Sequence, residues 1–386
     1  VTMRVLMINR RTDEFSAYDR HLDHDVHQVM YVTTPGWKAP EGASRVLRLP
    51  DLDDHDAVVR AAVELGDLDA VLALSEMDLL TAARIRELLN VPGPRYHDLV
   101  KFRDKPAMKT AVAAAGLRVP RFEVVSSAGD VARFQAEIGA DVITKPRSGA
   151  GSEGCQVIRR GQDPAGLLAG VDFADLEVEE FVTGPIWHVD GLVQRGCVTF
   201  AKASAYIGTC YDFLRGAPIA SITRSDAMAD DMSCFAEQCV KALELTDGAF
   251  HLEAVETPDG PVFLEVGARV GGGPVVRMIH AGHGLDLIEA WMAIQLGVVP
   301  AAEVRADASG ALLFPGTPGA RVAATTSLNG RLPALHHEEL APVGYEFTGQ
   351  PDLDLAAAYY FTAATDQEVR QAIAQAAELV DLRLEA

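Results

Sequence analysis

The stretch FHLEAVETPDGPVFLEVGARVGGG, residues 250–273, decides the reading of the chain. Two apolar runs flank a Thr-Pro-Asp-Gly-Pro turn, which predicts a β-hairpin. A three-residue loop at Pro258–Gly260 would place Glu253 directly across from Glu265 on one face. Like charges opposed in a sheet destabilise it, so such a pair needs a cation, and carboxylate oxygens suit Mg²⁺ shared with substrate phosphates. A two-residue loop would shift the register by one and separate the glutamates, and both would also fit as solvated strand residues. Arg269 leaves the second run into a glycine bend, Gly271–Gly273, from which its guanidinium can reach phosphate oxygens; as a plain salt-bridge partner it would be unremarkable. Gly272 in that bend is a candidate substrate contact.

Upstream, Lys145 ends an apolar run and opens the loop Lys145-Pro-Arg-Ser-Gly-Ala-Gly-Ser-Glu-Gly154. Glycines let backbone N–H groups converge on phosphate oxygens while the lysine supplies a point charge. Here the lysine precedes the glycines and the loop runs into a strand, unlike the phosphate loop that opens a helix. The same letters fit a flexible hairpin loop. Cys155, beside it, reads as a small packed residue.

The first 90 residues alternate strand and helix: apolar runs at 3–8, 26–32, 45–49 and 69–74, with helical stretches at about 53–66 and 77–90. In a parallel sheet of this kind ligands meet the carboxyl ends of strands, where Ser75 and Glu76 fall; a helix N-cap with acids in its first turn explains them equally. An Ala-rich helix stopped by Gly116 follows, then strands and a helix (128–138), long antiparallel segments at 186–206 and 250–267, and a closing strand and helix, DQEVRQAIAQAAELVDLRL. The polar segment 202–216 holds Asp212, suited to an ammonium, and Arg215, suited to a carboxylate; each also fits an ordinary surface loop. His280 and His283 have no third ligand nearby and read as helix-end residues.

At 386 residues the chain is long enough for two to three domains of roughly 100–200 residues. Its 34 basic and 55 acidic residues give a net charge of −21, which argues against nucleic-acid and membrane-surface partners. The five cysteines form no CxxC pair, so neither a disulfide scaffold nor a zinc site is suggested, and a reducing cytoplasm is the expected compartment. Neither secretion nor membrane spanning is expected.

Lys105 after Asp104, Lys145 with its SGAGSEG loop, VEEFV at 178–182 and the HLE…FLEVGARVGGG pair occur in this order over about 170 residues. Together they resemble the ATP-grasp superfamily, in particular carboxylate–amine ligases of the dipeptide-forming L-amino-acid ligase type, more distantly biotin carboxylase and carbamoyl-phosphate synthetase. The resemblance implies an α/β (α+β) fold: an N-terminal parallel α/β domain (1–95), linker helices (96–120), a small lid domain (121–185) and a larger antiparallel-sheet catalytic domain with a closing strand–helix unit (186–386). Lys105 and Lys145 would contact ATP phosphates under a mobile loop that includes Ser148, Gly149, Gly151, Ser152 and Gly154. Glu179, Glu180, Phe181 and Val182 would clasp adenine, and His188 would contact the ribose, although Pro185 stands where the family more often has Glu. Glu253 and Glu265 match the metal-binding glutamates, for two Mg²⁺ or alternatively Mn²⁺. Gly267 replaces the usual asparagine, so the second ion would lean on glutamate and water. Arg269 matches the arginine that, with Lys145, stabilises the transferring phosphate.

The implied reaction activates a small carboxylate, an amino acid in the first instance, as an acyl phosphate and joins it to an amine, releasing ADP and phosphate. Glu76, Asp212, Arg215 and Gly272 are the substrate candidates. Transfer to a carrier-protein thiol or a nucleotide-precursor amine, and a non-catalytic nucleotide-binding protein, are the alternatives. The expected partners are therefore a small carboxylate and an amine, with a carrier protein and a homodimer left open.

Overall fold

The computed structural model describes residues 2–10, 18–272, 274–300, 305, 307–348 and 354–385; Gly273 of the glycine bend lies outside the described residues. The chain opens with four parallel strands, β1 (Arg4–Asn9), β2 (Gln28–Thr33), β3 (Arg45–Arg48) and β4 (Ala70–Ala73), in the order β3-β2-β1-β4. Val5 to Ile8 in β1 are fully buried because both faces are covered, as a continuous apolar run requires. Helices α1 (His55–Val63) and α2 (Leu79–Leu88) bury Leu6, Ile8 and Val32 on one face. Glu76 follows β4 at the carboxyl end of this sheet.

Helix α3 (Lys105–Ala114) starts where the Asp104 carboxylate accepts the Ala107 N–H at 2.9 Å. Beyond it β5 (Phe122–Val124), α4 (Ala128–Ile138), β6 (Val142–Pro146), β7 (Gln156–Ile158) and β8 (Leu176–Glu180) form a small antiparallel sheet, β5-β8-β6-β7, with one helix packed on it.

The remainder contains β9 (Ile186–Gln194), β10 (Cys197–Ile207), β11 (Ile219–Thr223), α5 (Ala227–Ala242), β12 (Gly248–Thr257), β13 (Gly260–Gly267), α6 (Val275–His283), α7 (Leu287–Gln295), β14 (Ala308–Pro315), β15 (Arg321–Ala324), β16 (Leu335–Leu340), β17 (Leu355–Ala363), α8 (Asp366–Leu379) and β18 (Arg383–Glu385). Eight of these strands form one antiparallel sheet, β13-β12-β9-β10-β11-β14-β17-β16. One face carries Trp187, Val189, Leu252 and Ala254 against Met108 of α3 and Met232 and Phe235 of α5. Side chains alternate along a strand, so the opposite face presents a cross-strand row of Glu265, Glu253, His188, Ser204 and Thr223.

The expected facing of Glu253 and Glu265 is present, but the expected turn is not. Thr257 pairs with Gly260, so the loop has two residues, and Ala254 pairs with Phe263. That register alone would put the glutamates on opposite faces. Leu264 is an extra residue in β13, a bulge that shifts the pairing by one and brings Glu265 across from Glu253. The closing helix is also shorter than its sequence suggested. It ends at Leu379, and β18 pairs with β15 because Leu382 and Leu384 pack with Val322 and Phe347.

Candidate functional site

A cavity of about 360 Å³ lies between the small antiparallel sheet and the hairpin end of the large one. Its wall includes Lys105, Lys145, Gly149, Ser152, Glu179 to Val182, Glu253 and Glu265, with Tyr206 and Asp212 from β10 and the turn beyond it. Phe181 and Val182 lie just past the end of β8, where the Phe181 N–H still donates to the Asp141 carbonyl at 3.2 Å. Ser148, Gly151, Gly154, Gly272 and Arg215 are not on this wall. Ser148 Oγ instead donates to Asp175 at 2.8 Å. Arg215 lies over the Tyr211 ring, 3.5 Å from its centroid, and lines neighbouring clefts, one of which it shares with Ser152, Glu153 and Cys155.

Lys145 emerges at the end of β6 and pairs with Glu179 on the neighbouring β8. Glu179 also pairs with Lys109, whose Nζ lies 2.6 Å from Glu177 Oε1, so two lysines and two glutamates alternate in a buried chain. Burial opposes the charge of Lys145, but the Glu179 and Glu265 carboxylates outweigh it and raise its pKa. Burial raises the Glu177 pKa, whereas Lys145 and Lys109 overcome burial and lower that of Glu179. Lys109 was missed in the sequence, although it lies one helical turn after Lys105 and so on the same face of α3.

Lys105 Nζ lies 3.2 Å from Glu265 Oε2 and donates to the Gly149 carbonyl at 2.6 Å. Glu253 accepts from Tyr206 Oη at 3.3 Å and lies 3.7 Å from His251 Nε2. Glu253 and Glu265 therefore form an oxygen-only donor pair in which an ammonium already sits against one carboxylate, a setting that fits a hard divalent cation. Among the described residues, the group of three ligand-type side chains drawn close enough to hold a metal is a different one, His188, Asp190 and His251. Asp190 already bridges both rings, at 2.6 Å to His188 Nδ1 and 2.7 Å to His251 Nδ1.

His188 is consequently not a ribose contact in this structure. It is fully buried, and its other nitrogen is 2.6 Å from Ser221 Oγ, so both ring nitrogens are occupied within the sheet. His251, two residues before Glu253 on β12, was overlooked in the sequence; strand alternation alone puts it on the glutamate's face. A Cβ on Gly271 would lie 2.4 Å from Asp190 Oδ1 and 3.0 Å from His251 Nδ1, so the glycine bend can pass over this group only without a side chain.

Glu76 and Arg269, 193 residues apart, meet with Arg269 Nε donating to Glu76 Oε2 at 2.7 Å. Arg103 takes the other oxygen of Glu76. Burial works against ionisation of Glu76, yet Arg269 and Arg103 hold its pKa down at about 2. Gly267 makes room for this pairing, since a Cβ there would lie 3.3 Å from Arg269 Cγ and 3.4 Å from Glu76 Oε2. Burial pushes the Cys155 thiol up to about 11, consistent with a packed, unreactive residue.

A hairpin with facing carboxylates, two lysines on one cavity wall and a glycine-rich loop between strands thus come together in one part of the chain. Residues 102–273 match the ATP-grasp domain family. That match spans the stretch that carries Lys105, Lys145, Glu253 and Glu265. It is 26% identical over 309 residues to a protein of Sinorhizobium fredii, covering 76% of this chain and 63% of that protein. It is also 26% identical over 324 residues to the L-arginine-specific L-amino acid ligase of Bacillus subtilis, covering 76% and 75%. The solved L-amino acid ligase of Bacillus licheniformis shares the fold with a TM-score of 0.80 at 17% identity, over 100% of this chain and 99% of that one. No helix among the described residues is long and apolar enough to cross a membrane.

Proposed function

We propose that the chain is an ADP-forming ligase that activates a small amino acid as an acyl phosphate and joins it to an amine, in the first instance a second amino acid. The observation that carries this is the convergence of Lys105, Lys145, Glu253 and Glu265 on one cavity, with the Glu76–Arg269 pair four residues beyond Glu265. ATP phosphates would meet Lys105 and Lys145, with Gly149 and Ser152 of the loop above them. Glu253 and Glu265 would hold magnesium, or manganese in its place, which when bound neutralises phosphate charge. A substrate carboxylate oxygen attacks the γ-phosphorus and ADP leaves. Arg269, presenting a planar fork of donors, would steady the transferred phosphoryl group. The amine nitrogen then attacks the acyl carbon, phosphate leaves, and the nitrogen gives up its proton. Glu76, held ionised, is suited to accept from a substrate ammonium.

Phosphate release from ATP and Mg²⁺, measured with amino acids singly and in pairs, tests the reading. Release that requires two amino acids is expected. Release only with a carrier protein would replace the amine acceptor by a thiol, and no release under any of these conditions would overturn the ligase assignment.

A further inference from the structure

We propose that Arg103 is a positioning residue that couples the substrate acid Glu76 to the glycine-rich loop over the phosphates, an inference that rests on the function proposed above. Arg103 is buried, at 7% exposure, in the turn before α3. One guanidinium nitrogen pairs with Glu76 Oε1 and the other donates to the Ser148 carbonyl at 2.6 Å. Its neighbours hold the same loop. Asp104 pairs with Arg147, the Lys105 N–H donates to the Arg147 carbonyl at 3.0 Å, and Lys105 Nζ donates to the Gly149 carbonyl. Residues 103–105 thus fasten residues 147–149 one by one.

The consequence lies in how the oxygens of Glu76 are shared. Arg103 fixes Oε1, which leaves Oε2 to be exchanged between Arg269 and a substrate ammonium. A planar fork can hold a carboxylate and a carbonyl at once with both geometries fixed, which an ammonium on a flexible stem cannot. A buried guanidinium deprived of its carboxylate is strongly disfavoured in place and turns toward water. Neutralising Glu76 therefore releases the Ser148 carbonyl, although Glu76 itself lies beyond the end of another sheet.

Amide hydrogen exchange of the 147–154 loop, in the full chain without nucleotide, reads this coupling directly. Arg103→Gln and Glu76→Gln should each speed exchange of these amides by about tenfold, and the double variant should exceed neither. Arg103→Lys keeps a cation beside Glu76, so it should restore the wild-type unfolding temperature while leaving the loop loosened, a separation that a purely structural role would not produce. Unchanged loop exchange in Glu76→Gln, or a double variant equal to the sum of the singles, would overturn the coupling. A parallel titration with Mg-ADP guards the underlying assignment. If Mg-ADP fails to protect the loop in the wild type, the nucleotide-site reading falls, while the nucleotide-free exchange still decides whether Arg103 links the two segments.

Discussion

Lys105 Nζ and Glu265 Oε2 are 3.2 Å apart, so a lysine and a carboxylate on the cavity wall neutralise each other. Burial opposes the charge of Lys105, but the Glu265 and Glu76 carboxylates outweigh it and raise the lysine pKa, which keeps Lys105 charged. Glu265→Gln should abolish ATP-dependent phosphate release while leaving the circular dichroism spectrum and unfolding temperature close to wild type. EDTA should stop the wild-type reaction, with recovery on adding Mg²⁺. Turnover in Glu265→Gln above about one hundredth of wild type would refute the metal role given to this residue.

Lys109 bridges Glu177 and Glu179 with all three groups buried. Replacing it by Met strands Glu177 in the interior and leaves Glu179 to Lys145 alone, and removing one partner of a buried ion pair costs about 3–5 kcal/mol. Thermal or urea unfolding of Lys109→Met is the measurement. A midpoint indistinguishable from wild type would show that water reaches these carboxylates.

The acid limb of stability should carry a contribution from Glu76. Its pKa falls from an ordinary 4.5 to about 2 on folding, so the folded state binds its proton more weakly than the unfolded chain. The resulting stabilisation is complete above about 4.5 and is lost as pH falls through about 2. Urea midpoints taken across this window should fall less steeply in Glu76→Gln than in wild type; equal slopes would contradict the ion pairing with Arg103 and Arg269.

Gly271 passes so close to Asp190 that an added methyl group must displace something. Gly271→Ala should destabilise the fold by about 1–3 kcal/mol, in line with overpacking of a tight site, and should weaken Mg-ADP binding because the bend also carries Arg269. Isothermal titration and urea unfolding of the variant test both effects.

Much of the site was legible from chemistry repeated at short range. Lys145 beside its glycines, and two glutamates flanking a turn in apolar runs, announce themselves through residue type and spacing. The facing of those glutamates depended on something no local pattern marks, the Leu264 bulge that offsets a shorter turn than the letters suggest. His188 was read through a resemblance, whereas Asp190 lies two residues along the same strand and Ser221 comes into reach only when β9, β10 and β11 lie in one sheet. Arg103 was hidden for a related reason. Its neighbours Glu76 and Ser148 lie 27 and 45 residues away, just beyond strands of separate sheets, and no periodicity spans such a gap.

The cluster of Glu76, Arg103 and Arg269 also bears on how the chain matures. Its members come from the end of the first sheet, the turn before α3 and the end of the hairpin, and the longest link closes a loop of 193 residues. Contacts of such long range form late, after the pieces that carry them have collapsed separately. Until the first sheet docks, neither arginine can meet Glu76, so the cluster is completed only with the last step of assembly.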